Sequence, residues 1–232
     1  MSNNRVKNLL FALVALLPMA YLAVNWNSIP EMVPVHYNIN GEPDRFGSKN
    51  ELWVIAGLMA GAALLVYFLL RNIHKLDPKL RRSKKLTVFN KLAAAILIFI
   101  TALNLLITVS AVEQDVRWLD RAMLPLLGLM FVFLGNYMYT VKPNYFAGFR
   151  TPWALSDDEN WRKTHRLGGT LWFVAGVLVT LLSLLLPMPV ATVVMLCILI
   201  PATLIPFVYS FMLFRRTVGK TADIGQETSG RT

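Results

Sequence analysis

The sequence predicts an all-α membrane protein of about six transmembrane helices, with both termini on the cytoplasmic side. Three observations carry that prediction. Of the 232 residues, 56% are hydrophobic and only 16% are charged, whereas soluble domains run at about 45–50% and 25%. The apolar residues gather into six uncharged runs of near twenty residues, the length that crosses a hydrocarbon core of about 30 Å. Finally, 19 of the 23 Lys and Arg residues fall on alternate connectors, which is the positive-inside pattern.

The runs are 9–26, 52–70, 92–112, 122–141, 167–186 and 190–214. None holds Asp, Glu, Lys, Arg or His, and as helices they satisfy their own backbone groups, as the membrane interior requires. The first follows Arg5 and Lys7 as a signal peptide does. It is long for one and lacks a small-residue cleavage site, so a retained anchor is expected. The last two are joined by Pro187-Met188-Pro189, read as a tight outer turn. The tail after Lys220 is polar and is expected to be disordered.

The cations lie in the N-terminal tail, in 71–91, in 142–166 and in the C-terminal tail; only Arg45, Lys49, Arg117 and Arg121 lie on the other side. Outside are Glu31, Glu42, Asp44, Glu51, Glu113, Asp115 and Asp120. The net charge of +10 is thus explained by sidedness and by anionic cytoplasmic lipid, and no direct nucleic-acid binding is expected. Trp26, Trp53, Trp118 and Trp172 lie near run ends, where tryptophan anchors at the headgroup level. The lone cysteine, Cys197, sits within an apolar run and is read as a small lipid- or helix-facing residue.

Two connectors are too patterned to be simple links. In the outer one, 33–39 has β character and Asn40-Gly41 is a tight-turn signal, so a short folded loop or hairpin is expected. His36, Glu42 and Asp44 lack a recognisable ligand spacing, which favours a hydrogen-bonded structural histidine over a metal ligand. In the inner one, Ser156 and Glu159 fit a capping box that starts a helix. Asp157 and Asp158 suit its first turn, and Trp161 and His165 share a face. Arg150 has Asp157, Asp158 or Glu159 to fork onto. No nucleophile–base pattern is present, so a structural loop or the docking of a cytoplasmic partner is expected ahead of catalysis, with no cofactor and no metal. Asn104 and Asn136 are read as polar glue between spans. The absence of charge at depth argues against a pump or ion-coupled carrier.

The stretch Gly148-Phe149-Arg150-Thr151-Pro152-Trp153-Ala154-Leu155-Ser156-Asp157-Asp158-Glu159-Asn160-Trp161 resembles the signature of the SdpI family, bacterial immunity proteins for the sporulation-delaying toxin. Pro34, His36, Asn38, Gly41, Asp44, Gly47 and Lys49 resemble the small membrane domain often found ahead of that signature. The resemblance implies a multi-pass protein of the bacterial inner membrane that protects its cell from a secreted, membrane-active toxin peptide. It also implies a second role in signalling, by holding a cytoplasmic transcriptional repressor at the membrane. The residues it carries over are His36, Asn38, Gly41 and Asp44 outside, and Gly148, Arg150, Thr151, Pro152, Trp153, Trp161 and His165 inside. Toxin, repressor and membrane lipid are the expected partners. The expected division is 1–70 for a two-span N-terminal unit, 71–91 for a basic loop, 92–218 for an SdpI-like four-span unit and 219–232 for the tail. The alternatives are a membrane-embedded enzyme acting on lipid or peptide, which needs His36 or His165 beside carboxylates in a polar cavity, and a toxin exporter, which needs a central pathway.

Overall fold

In a computed structural model the six apolar runs form six helices long and apolar enough to span a membrane. The structure describes residues 2–38, 42–80, 87–115 and 117–229; residues 2, 3, 117, 118, 120 and 218–229 are described by backbone alone. The spanning helices are α1 (Ser2–Val24), α2 (Asn50–Arg71), α4 (Thr87–Glu113), α5 (Arg117–Met138), α7 (Asp158–Leu185) and α8 (Met188–Ser229). Short helices α3 (Ile73–Leu76) and α6 (Pro152–Ser156) sit in the two inner connectors. Strands β1 (Met32–Tyr37) and β2 (Pro43–Ser48) form the expected antiparallel hairpin. The Asn40-Gly41 turn lies outside the described residues. The helical backbone of α8 runs to Ser229, through most of the tail for which disorder was expected.

The helices fall into two groups. In the first, α1, α2 and α4 lie together. Ala56, Ala60, Ala63 and Tyr67 of α2 form its buried face, and such small residues let spans approach closely where lipid removes the hydrophobic drive. Asn104 of α4 acts as expected between spans, its amide donating to the Ala56 carbonyl at 3.0 Å. Asn136 does not: it is exposed on α5, at the edge of an open concavity beside α7.

In the second group, α5 and α7 run antiparallel and meet backbone to backbone. A Cβ on Gly128 would stand 2.8 Å from the Gly176 carbonyl, and one on Gly135 would stand 2.6 Å from that of Gly169. The two pairs lie seven residues apart on each helix, so they form one seam. Helix α8 packs on α7 around Ala175, Val179, Leu199 and Ala202. A loop of Leu186 and Pro187 joins α7 to α8, with Pro189 early in the new helix, as the two prolines foretold.

Both inner connectors meet at one end and the outer connectors at the other. The main apolar cluster gathers Tyr67, Ile73, Leu80, Phe89, Ala154 and Trp161 at the inner end. A smaller one holds Leu22, Ile29, Val33, Leu52 and Ala111 beneath the hairpin. Trp26 and Trp53 sit there 5.7 Å apart, with the Lys49 ammonium 4.9 Å from the Trp26 ring. Trp172 differs from its expected anchoring role: its ring turns inward onto Phe131 and Phe149. The Trp118 side chain lies outside those described. Leucines along α1, α2, α7 and α8 remain exposed, as a lipid-facing surface requires.

Candidate functional site

The inner connector is a folded cap whose polar groups are nearly all used. Asn144 shapes its first turn: its amide donates to the Lys142 and Ala147 carbonyls, and its oxygen accepts from the amides of Phe146 and Ala147. Gly148 follows at φ +106°, a conformation costly for a side chain. A Cβ there would also stand 2.2 Å from His165 Nε2. The imidazole takes that space because the Phe149 amide donates to Nε2 at 3.0 Å. Nδ1 then carries the proton and donates to the Trp161 carbonyl at 2.8 Å. The Trp161 ring stacks on the imidazole at 3.9 Å, confirming the shared face. Its indole N–H donates to the Val141 carbonyl at 2.8 Å.

A second network ties the cap to α8. Thr151 is the N-cap of α6, its hydroxyl accepting from the Ala154 amide, and Pro152 opens that helix. The Thr151 and Ser210 hydroxyls lie 2.8 Å apart. Ser210 donates to Asn160 Oδ1 at 2.7 Å, as does Thr164 at 3.0 Å. The Asn160 amide returns to the Ser210 carbonyl at 2.9 Å. Trp153 stacks over Phe214 of α8.

Two expectations need correction here. Ser156 does not cap α7. Asp157 does, accepting from the Glu159 amide, because α6 already uses Ser156 as its last residue. Arg150 does not fork onto a carboxylate. It donates to the Tyr145 carbonyl at 2.8 Å, the loop carrying it away from Asp157. Trp161 and His165 are also buried, at 2% and 1% exposure, so neither presents a surface to a docking partner.

Sequence reasoning missed Asp77, Asn144, Asn160, Thr164 and Ser210. Asp77 is almost fully buried. It accepts from the Lys79 and Tyr145 amides, while Lys79 reaches the Leu155 carbonyl at 2.6 Å. The two inner connectors are thereby stitched together. Asn144 carries a local turn signal; Ser210 lies fifty residues from Asn160 and carries none.

At the outer end, His36 Nδ1 and Asp44 Oδ1 are 2.6 Å apart, with both side chains substantially exposed. Asn38 and Glu42 close the hairpin: the Asn38 amide N–H bonds the Glu42 carbonyl, the side chains meet at 3.0 Å, and the Glu42 amide donates to Asn38 Oδ1. Gly41 lies outside the described residues. His36 is thus a hydrogen-bonded residue beside one carboxylate, and His165 has only backbone and aromatic neighbours. Among the described residues no cluster of three or more His, Cys, Asp or Glu side chains converges.

Beneath the hairpin lies a crevice of about 610 Å³. The backbone and side chains of 34–38 roof it. Its walls are Phe99, Leu103 and Ile107 of α4, Met123 and Leu127 of α5, and Met188 and Met195 of α8. From Ile107 to Phe99 it descends roughly 12 Å along the axis of α4. The lining is almost wholly apolar, and its three methionines are adaptable surfaces.

Comparison with known proteins places these two regions in recognised sequence classes. Residues 140–210 match the model of the SdpI/YfhL protein family, and residues 13–60 match a domain of unknown function, DUF1648. The immunity protein SdpI of Bacillus subtilis is 24% identical over 180 residues, covering 76% of this chain and 81% of that protein. An uncharacterised protein of Archaeoglobus fulgidus is 37% identical over 46 residues, 20% of this chain and 25% of its own length. No solved structure matches. The SdpI/YfhL match thus covers the inner cap, α7 and α8 as far as Ser210, the DUF1648 match covers the outer hairpin, and the resemblance read from the motifs stands.

Proposed function

We propose that this chain is an integral membrane immunity protein of the bacterial inner membrane, giving resistance to a secreted, membrane-active toxin peptide. The observation that carries this reading is the apolar crevice under the hairpin. A peptide that enters the outer leaflet meets there a preformed greasy slot with a polar rim of His36 and Asn38, His36 being bonded in turn to Asp44. Amphipathic peptides bind such surfaces through their apolar face, and the volume lies in the usual range of about 300–1,000 Å³ for binding pockets. The rim supplies orientation, because one end of the bound peptide stays in water.

Signalling through a cytoplasmic transcriptional repressor is the second part of the proposal. Helix α8 lines the crevice with Met188 and Met195 and enters the inner network at Ser210. Pro201 and Pro206 lie between, each removing a helix hydrogen bond and easing a bend there. A peptide pressing on Met195 therefore has a physical route to the cap, about 22 Å away along the helix. The repressor would meet the exposed residues of the cap, Arg150 and Tyr145, rather than its buried aromatics.

The test is expression in a strain sensitive to the sporulation-delaying toxin. Survival should rise with the wild-type chain and fall back with Leu103→Trp or Met123→Trp, which fill the crevice, at equal membrane levels of protein. No protection by the wild type, or full protection by both filled variants, overturns the reading. Ser210→Ala should leave protection in place while changing repressor recruitment, measured by fluorescence at the membrane.

A further inference from the structure

A second concavity lies on the outer face of the α5–α7 seam, at the cytoplasmic end. It encloses about 810 Å³. Its floor is backbone, because Gly135 and Gly169 meet there without side chains. Arg162 and Arg166 stand at its upper edge, Asn136 and Tyr139 across from them, and Phe173 at its lower end. All five of these side chains are exposed. Lys163, also at the rim, is paired with Glu159 at 2.8 Å. Among the described residues neither arginine makes an ion pair within 4 Å.

We infer that this notch is a binding site for one anionic phospholipid of the cytoplasmic leaflet, its phosphate held by Arg162 and Arg166 and an acyl chain lying over the glycine floor against Phe173. Two arginines one helical turn apart present paired N–H forks to a phosphate. Asn136 and Tyr139 offer further polar contact to the headgroup. The depth decides between lipid and free anion. Arg162 to Phe173 spans about 16 Å along α7, whereas the polar layer on one side of a bilayer is roughly 5–8 Å thick. The lower half of the notch must therefore lie at acyl depth, where a soluble anion has nothing to contact. Basic recesses between spans on the cytoplasmic side suit such headgroups.

The test uses the whole chain purified in a non-ionic detergent, with thermal midpoint and native mass spectrometry as readouts. Phosphatidylglycerol or cardiolipin should raise the midpoint and stay bound; phosphatidylcholine should do neither. R162Q/R166Q should raise the half-saturating lipid concentration about 25-fold, from roughly fivefold per charge. R215Q/R216Q, which removes the same charge elsewhere on that face, should leave it unchanged. Equal losses in both double variants would mean diffuse attraction and overturn the site. Equal protection by inorganic phosphate would make it a free-anion site, and equal protection by poly-glutamate a peptide site; either overturns the lipid.

Discussion

Gly148 and His165 are two halves of one local solution. The glycine is held at φ +106°, and the imidazole fills the space where its methyl would be. Gly148→Ala should therefore cost about 2–4 kcal/mol, combining backbone strain and overpacking, read as a fall in thermal midpoint in detergent. His165→Ala should also destabilise, because it leaves the Phe149 amide unbonded. The double variant should lose less than the sum, since removing the ring removes the clash while the strain stays. At this scale the sequence was partly legible. Trp161 and His165 sit on one face because helical spacing dictates it. The partner of Arg150 was not legible, because a backbone carbonyl competes with three nearby carboxylates and only the loop path decides. The capping residue was misassigned for a similar reason: Thr151-Pro152 starts a separate short helix, which displaces the N-cap of α7 by one residue, from Ser156 to Asp157.

Glycines of the spanning helices divide into two kinds that sequence cannot separate. Gly57 and Gly61 of α2 have nothing within 4 Å of an added Cβ. Gly128, Gly135, Gly169 and Gly176 press on neighbouring backbone. Gly61→Ala should thus be neutral or slightly stabilising. Gly135→Ala should push α5 from α7 and lower the midpoint by several degrees or abolish folding in detergent; equal midpoints for the two variants would contradict the seam. The six spans were legible because a membrane helix announces itself by length and apolarity alone. Their pairing was not, because lipid and protein interiors favour the same residues. Asn104 and Asn136 show this: both look like interhelical glue, and only one faces a helix.

Charge bias predicts the sidedness of the whole molecule, and the two cation-rich inner connectors share one end. A membrane-impermeant maleimide should label Asp44→Cys on intact spheroplasts, and Lys142→Cys only after permeabilisation; the reverse would invert the topology. The native Cys197, within the apolar part of α8, should stay unlabelled in both. The stitch between the inner connectors has a further consequence. Asp77 and Lys79 grip Tyr145 and Leu155 across the chain, and α2 lies along α4. A polypeptide ending at residue 83 and another beginning at 84, synthesised separately in one cell, should meet in the bilayer and copurify as a working pair. Such copurification would show two halves that recognise each other as partners do; failure to copurify would contradict it.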